Sequence, residues 1–453
     1  MEAFYLFMPL IFLAIFIIWN YILHKLQNHP PNPWFPPLPI IGHLYLLKPP
    51  FHKSLAKHGP IQLLQFGSRP VLHVSSPSLA EECLTTNDVI FANRPRLLAG
   101  KYLGYNYTSL VFAPYGDHWR NLRRVSAIEI LSSHRLSELE PMRTKEVLLT
   151  IRKLYRSSLK QAAEVQVKAM LVDLTLNTMM RMVSGKRYHY GSDNVLTVEE
   201  KEKADRFQEL VAEIFEVMGA TNIGDYMPVM RWLGVSKLEK QLIRLQARRD
   251  LFMQELVEEL KEGLKNSGGT QTSISTMEWA MSLLLNNPSV LKKAQAEIDE
   301  YVGQDRLLQE SDIANLPYLG CIIKETMRMF PAGPLLPHES TKDCKVGGYH
   351  IPSGTMLLVN VWGIQNDPTI WGDPKTFRPE RFESLEGYRD GFKFMPFGSG
   401  RRSCPGEGMA LRTVALGLGS LIQCFEWERT SESHVDLSEG SGVGMPKAIN
   451  LVA

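Results

Sequence analysis

A chain of 453 residues, 44% hydrophobic and 22% charged, has the balance of an ordinary globular protein, with room for two or three average domains or one large one. Its formal net charge of +2 gives no support to nucleic-acid binding as its main business, so any basic patch must be local. The five cysteines, Cys83, Cys321, Cys344, Cys404 and Cys424, are scattered without C-x-x-C spacing, which argues for a reducing compartment and against a disulfide framework or a zinc site.

From Ala3 to Leu23 nearly every residue is apolar and none is charged. At about 1.5 Å per residue a helix over this run spans roughly 30 Å, the thickness of a bilayer core. No basic n-region or small-x-small cleavage site accompanies it, so residues 1–24 read as an uncleaved transmembrane anchor rather than a signal peptide. Glu2 precedes the run and Lys25 follows it, which leaves the bulk of the chain on the cytoplasmic side. On that face Asn106-Tyr107-Thr108, formally a glycosylation sequon, goes unused. Pro30-Pro31-Asn32-Pro33-Trp34-Phe35-Pro36-Pro37-Leu38-Pro39 is stiff and extended, so residues 25–41 form a hinge. Such stretches also serve as ligands for SH3-type modules, but the position directly after an anchor favours the spacer.

Beyond the hinge, residues 42–453 read as one folded unit. Ile61 to Phe66 and Val71 to Val74 are strand-like runs around Gly67-Ser68-Arg69-Pro70, a hairpin signal, and Ser76 to Leu84 looks helical. Asn93 to Gly116 is a long irregular loop rich in apolar residues, Phe112 among them, and loops of that length are usually functional. Asp117 opens a helix that carries Trp119 and Arg123 on one face, four residues apart, where both can reach a carboxylate of a ligand. An ordinary basic amphipathic helix is the alternative. Residues 126–265 are mostly helical by periodicity, and Phe207, Leu210, Val211, Ile214 and Met218 form an apolar stripe of core type.

Gly268-Gly269-Thr270-Gln271-Thr272-Ser273 leads into a strong helix from Met277 to Leu285, and Ser289 to Val302 forms the next. Leu316 to Met329 is a helix with Glu325 and Arg328 about one turn apart among apolar neighbours, an ion pair that burial would oblige to be well satisfied. Pro334-Leu335-Leu336-Pro337-His338-Glu339 is extended. Phe397-Gly398-Ser399-Gly400-Arg401-Arg402-Ser403-Cys404-Pro405-Gly406 is organised to present a thiolate. Glycines let the backbone turn, Pro405 suits a first helical turn, and the arginines and the N-terminus of the helix that follows favour S⁻ over SH. The same residues admit a buried structural cysteine, whereas a dinucleotide loop would need a glycine where Ser403 stands.

The spacing Phe397, Gly400, Arg402, Cys404, Gly406 matches the haem-binding loop of the cytochrome P-450 family at every position, and the chain resembles that family over essentially its whole length. Finer similarity, in Asn93 to Arg124 and Pro331 to Ser340, is to the plant microsomal group that includes isoflavone 2'-hydroxylase. The resemblance implies a mainly α fold with a minor β region, the cytochrome P-450 fold, preceded by the transmembrane helix. It implies haem b (iron protoporphyrin IX) ligated by Cys404, with Trp119, Arg123, His338 and Arg402 holding propionates and Phe397 beside the ring. Phe112, Leu335 and Leu336 then face substrate, and Glu325, Arg328 and Arg381 lock the core around the haem loop.

By the same resemblance the reaction is insertion of one oxygen atom from O₂ into a lipophilic small molecule, at the endoplasmic reticulum membrane. The electrons come from NADPH-cytochrome P-450 reductase, docked on a basic face around Arg401 and Arg412 with Arg120, Arg124 and Lys393. Thr272 organises protonation, but Gln271 stands where the family has an acid, and an amide cannot relay a proton by ionising. The family also threads an apolar half-helix across the haem where this chain has Lys261-Glu262-Gly263-Leu264-Lys265-Asn266-Ser267, so a segment is missing there. Two departures from the family reaction follow: a haem-thiolate isomerase or dehydratase that does not use O₂, and a catalytically impaired, truncated member.

Overall fold

The computed structural model describes residues 28–31, 36–159, 164–184, 198–219, 223–228, 230, 237–259, 270–384, 390–440, 442 and 445–453, with six positions between 8 and 19. Those six, Met8, Ile11, Ala14, Ile15, Ile18 and Trp19, are helical and exposed. The rest of the expected anchor lies outside the described residues, among which no helix is long and apolar enough to cross a membrane.

The fold is mainly helical, with a four-stranded sheet in the order β1-β2-β6-β3 and a separate hairpin β4-β5. The strands are β1 Ile61–Phe66, β2 Arg69–Val74, β3 Leu335–Glu339, β4 Cys344–Val346, β5 Tyr349–Ile351 and β6 Met356–Asn360. β1 and β2 form the expected antiparallel hairpin, Ile61 opposite Val74 and Phe66 opposite Arg69, so only Gly67 and Ser68 remain in the turn. Gly67 has φ +56°, and a Cβ there would lie 2.1 Å from the Tyr226 carbonyl oxygen. The turn therefore needs glycine for both conformation and space. β6 joins β2 in parallel and β3 in antiparallel, which makes the extended Pro334–Glu339 segment a sheet strand. The hinge does not stand clear of the domain. Leu38 and Gly42 form a bridged turn, and the Asn28 carbonyl accepts the His350 N–H at 3.0 Å.

The largest core cluster is built from the distal helix Thr270–Asn286, the helix Pro317–Met329 and the C-terminal helix Glu407–Cys424. The distal helix begins seven residues before the run from Met277 that the sequence marks most strongly, because Ile274 and Ser275 are also buried. Trp279 stacks on Phe330 at 3.8 Å. Phe207, Leu210, Val211 and Ile214 pack in a second cluster with Leu98, Leu103 and Leu242, which is the core reading of that stripe.

Glu325 and Arg328 are both wholly buried, joined by Nε–Oε2 at 2.7 Å and Nη2–Oε1 at 2.9 Å. Arg381 adds its Nε to Glu325 Oε1 at 3.2 Å, and the Arg378 main-chain N–H donates to the same oxygen at 3.1 Å. Arg328 Nη1 also donates to the Gln365 carbonyl at 2.9 Å, while Gln365 Oε1 accepts the Met395 N–H at 3.1 Å, two residues before Phe397. This chain of bonds ties the ion triad to the start of the Cys404 loop. Replacing one partner of a buried pair leaves an uncompensated charge. Glu325→Ala is expected to lower unfolding free energy by about 3–5 kcal/mol, read as a fall in urea midpoint with little change in slope.

Candidate functional site

The loop before the C-terminal helix is shaped by two left-handed glycines, Gly398 at φ +69° and Gly400 at φ +68°. At Gly400 a Cβ would meet the Leu84 carbonyl oxygen at 2.5 Å, so a side chain is excluded by the neighbouring chain as well. The Cys404 N–H donates to the Phe397 carbonyl at 2.8 Å, closing the loop, and Phe397 itself packs on the main core cluster. Cys404 is the exposed cysteine of the five, so a ligand can reach its sulfur.

The thiol is nevertheless pushed above its ordinary pKa, first by the protein packed around it and then by Glu407, while the Gly406 N–H and Arg123 pull the other way. The exposure governs access and the packing governs ionisation, so the two findings concern different properties of one sulfur. The arginines and the helix end do not favour S⁻ unaided, contrary to the sequence expectation. A cation bonded to the sulfur completes what they leave short, because a coordinating thiol is deprotonated outright.

The residues expected at the propionates converge on this loop. Arg123 donates to the Ser403 carbonyl at 2.8 Å. Arg402 donates through Nε to Ala92 and through Nη2 to Ala113, both carbonyls at 2.7 Å, and its guanidinium lies 4.2 Å from the Trp119 ring centre. Trp119 Nε1 is taken by the Leu110 carbonyl at 3.0 Å. His338, buried, donates Nδ1–H to the Phe91 carbonyl at 2.9 Å. Its pKa falls to about 3, from burial first and then from Arg94 and Arg402, so the ring is neutral and Nε2 carries the lone pair.

Arg94 is the residue that the sequence reading missed. It reaches the Pro337 carbonyl, beside His338, and its Nε is buried with no hydrogen-bond partner. Packing lowers its pKa to about 10, and lowers that of Arg402 to about 9 with help from Arg94 and Arg123. The residue as a whole is half-buried. Set in Asn93-Arg94-Pro95-Arg96 within a loop, Arg94 carries no periodic signal that would mark it.

These cations share a feature that decides the chemistry. Among the described residues their partners are main-chain carbonyls and the Ser403 hydroxyl, with no carboxylate among them. Crowded guanidinium groups without a counter-charge require an anion from outside the chain. Haem fits: its two propionates supply the negative charge, and its iron is the cation that the Cys404 sulfur lacks.

The substrate-side residues are less concentrated. Leu336 lies 3.4 Å from the position of a Cβ on Gly398, against the cysteine loop. Leu335 packs instead with Leu55, Leu64 and Phe66 in another cluster. Neighbours on a strand point to opposite faces, so Leu336 and Leu335 lie in different packing environments. Phe112 rests on Gly100 and Gly104, where added Cβ atoms would meet it at 3.2 and 2.8 Å. Gln271 and Thr272 are half-buried in the first turn of the distal helix, with the Thr272 carbonyl accepting from Thr276 Oγ1 at 3.0 Å. Lys261–Gly269 lie outside the described residues.

A reachable cysteine sulfur beneath an uncompensated basic cluster defines a haem-thiolate protein. Comparison with known proteins carries this further. The cytochrome P450 family profile matches residues 31–267 and 266–452. The chain is 44% identical to cytochrome P450 81E8 of Medicago truncatula, over 100% of this chain and 97% of that protein. It is 41% identical to isoflavone 2'-hydroxylase of Glycyrrhiza echinata, over 98% and 95%. Among solved structures, a zebrafish cytochrome P450 with progesterone aligns with a TM-score of 0.75 and 26% identity, covering 89% of this chain and 99% of that one. The chain belongs to the cytochrome P450 family, and is a haem-dependent monooxygenase.

The same comparisons locate an internal shortfall. The profile match breaks at residues 266–267, and the alignment with 81E8 runs over 493 positions against the 453 residues available here, so at least 40 positions of the relative face no residue of this chain. The break falls immediately upstream of Gly268, as the polar run from Lys261 to Ser267 suggests.

Removing one charged donor from an anion typically costs about 1.5–3 kcal/mol. Arg94→Leu is accordingly expected to speed haem loss to apomyoglobin by roughly 10- to 150-fold while the carbon monoxide complex keeps its thiolate-type Soret band.

Proposed function

We propose that the chain is a single-pass protein of the endoplasmic reticulum membrane that hydroxylates a flavonoid- or isoflavonoid-like molecule. In this reading residues 1–24 anchor it, 25–41 are the hinge, and 42–453 form the monooxygenase domain facing the cytoplasm. The observation that carries it is the set of cations around the Cys404 loop with, among the described residues, no carboxylate for a partner. The substrate class rests on the relative named isoflavone 2'-hydroxylase, and the anchor on the uncharged run from Ala3 to Leu23.

In balance, the substrate and O₂ take two electrons from NADPH and two protons; one oxygen enters a C–H bond and the other leaves as water. Haem, when bound, supplies the oxygen activation that no side chain provides. The chain's own residues hold and orient. Cys404 would supply the sulfur ligand to the haem iron. Arg94, Arg123 and Arg402 hold the propionates, with Trp119 stacked against Arg402 and His338 in the same cluster. Phe397 closes the loop that carries the sulfur. Leu336 and Phe112 offer apolar surface to a lipophilic substrate, and the Thr272 hydroxyl would hold a proton. Gln271 beside it donates and accepts hydrogen bonds without ionising.

Electrons arrive from NADPH-cytochrome P450 reductase, whose docking face in this reading comprises Arg401 and Arg412 with Arg120, Arg124 and Lys393. Arg401 is partly neutralised by Asp88 at 2.8 Å, and Arg412 lies 3.8 Å from Glu310. Exposed charges steer encounter more than they add affinity. Charge reversal at Arg401 and Arg412 is expected to slow reduction by the reductase at least several-fold and to leave haem content unchanged; equal reduction rates would dismiss this face.

Gln271 favours a second reading, a haem-thiolate isomerase or dehydratase that uses no O₂, and the shortfall at residues 266–267 favours an impaired relative. The carbon monoxide difference spectrum of the purified chain should show the strongly red-shifted Soret band, lost in Cys404→Ser. Its absence in the unmodified protein points to the impaired relative. Reductase-driven NADPH consumption that rises with isoflavone supports the monooxygenase; substrate turnover without it supports the isomerase.

A further inference from the structure

Tyr105, Asn106 and Tyr107 are consecutive non-glycine residues with φ of +49°, +54° and +62°. Residues other than glycine visit this region singly and at a cost, most readily as Asn or Asp, so three in a row are maintained by what surrounds them. Two kinds of contact do this. Within the loop, the Asn106 and Tyr107 N–H groups donate to Lys101 and Gly100 at 2.8 and 3.0 Å, and the Tyr107 ring sits where a Cβ on Gly100 would be 2.8 Å away. From outside, Arg96 places its guanidinium 5.6 Å from the centre of the Tyr107 ring, and the helix Lys237–Glu259 brings Asp250 to Tyr105 and, above all, Arg249.

Arg249 Nη1 donates to the Leu103 carbonyl at 2.6 Å and Nη2 to the Tyr102 carbonyl at 3.5 Å, and its guanidinium lies 4.3 Å from the centre of the Tyr105 ring. The same part of the chain fastens the short helix Leu98–Tyr102 at both ends. Asp225 Oδ1 accepts the Leu98 N–H at 2.7 Å, and Glu239 Oε1 accepts the Tyr102 hydroxyl at 2.8 Å. Of these three attachments, only Arg249 reaches the strained residues. Phe112 then packs on Gly100 and Gly104, so its position follows from the turn.

We propose that Arg249 is a positioning residue: it holds the left-handed Tyr105–Tyr107 turn and thereby sets the apolar surface, Phe112 included, against which substrate binds. The planar fork bonds two successive carbonyls while its face covers an aromatic ring, which a lysine ammonium cannot do at once. The substrate half of the inference rests on the monooxygenase reading above; the structural half does not.

The test uses the full-length holoprotein and separates the two halves. In Arg249→Gln, hydrogen exchange of amides in residues 98–112 should rise at least tenfold, with exchange in the helix Pro317–Met329 unchanged. Tyr105→Asn in that background, which lowers the cost of the left-handed backbone, should restore part of the protection. Unchanged exchange in Arg249→Gln overturns the proposal. Where that variant fails to retain haem, Arg249→Lys should give an intermediate exchange rate, and wild-type exchange there overturns it equally.

For the substrate half, optical titration of the haem with 7-hydroxyisoflavone should show half-saturation raised about five- to twentyfold in Arg249→Gln, with imidazole binding to the iron altered less than twofold. Equal weakening for both ligands would mean a general structural role and would overturn positioning. A wild-type protein that shows no response to the isoflavone counts against the proposed substrate class, while the exchange measurement still decides the turn.

Discussion

Positive charge that the described residues leave unanswered is the constraint around which this site is arranged. Arg94, Arg123 and Arg402 crowd one another closely enough for Arg94 and Arg123 to help lower the pKa of Arg402, and their partners are carbonyl oxygens and a hydroxyl. Carbonyls satisfy the N–H groups without cancelling the charge. An arrangement of that kind is stable only with an anion that belongs to something else, and a porphyrin bearing two carboxylates beside a metal for Cys404 meets both needs together. Local electrostatics and local sulfur chemistry therefore point to the same cofactor independently.

The rest of the architecture keeps that cluster in register. Glu325, Arg328 and Arg381 answer one another internally, so they need no ligand and can act as a rigid foundation. Their link through Gln365 to Met395 places the foundation directly under the cysteine loop. The contrast between the two arginine sets is instructive: where a carboxylate is supplied by the chain the arginine is structural, and where it is missing the arginine awaits a ligand. The substrate side is organised differently, through apolar packing on glycines and through a strained turn braced by a distant helix. Loops of that sort adapt to different substrates at little cost to the foundation.

Much of this was legible beforehand. The hairpin of β1 and β2, the helix carrying Glu325 and the glycine-rich cysteine loop are all announced by short-range spacing, and each is found in the structure. What the extended reading of Pro334 to Glu339 leaves open is which face of the strand each leucine takes. Strand alternation sends them to separate clusters. Arg94 carries no such signal because nothing in Asn93-Arg94-Pro95-Arg96 separates one arginine from the other; only the lack of a carboxylate partner among the described residues does so.

By itself the sequence determined the local elements and the candidate sulfur ligand, because turns, helix faces and a loop of fixed spacing depend on residues within a few positions of one another. It also carried the interruption ahead of Gly268, visible as a polar run where apolar residues belong. Tertiary structure decided which charges are cancelled and which conformations are held under strain. Those outcomes depend on groups brought together from far apart in the chain, as Arg249 is to Leu103 and Arg94 to Pro337, and no pattern along the backbone encodes a distance that only packing creates.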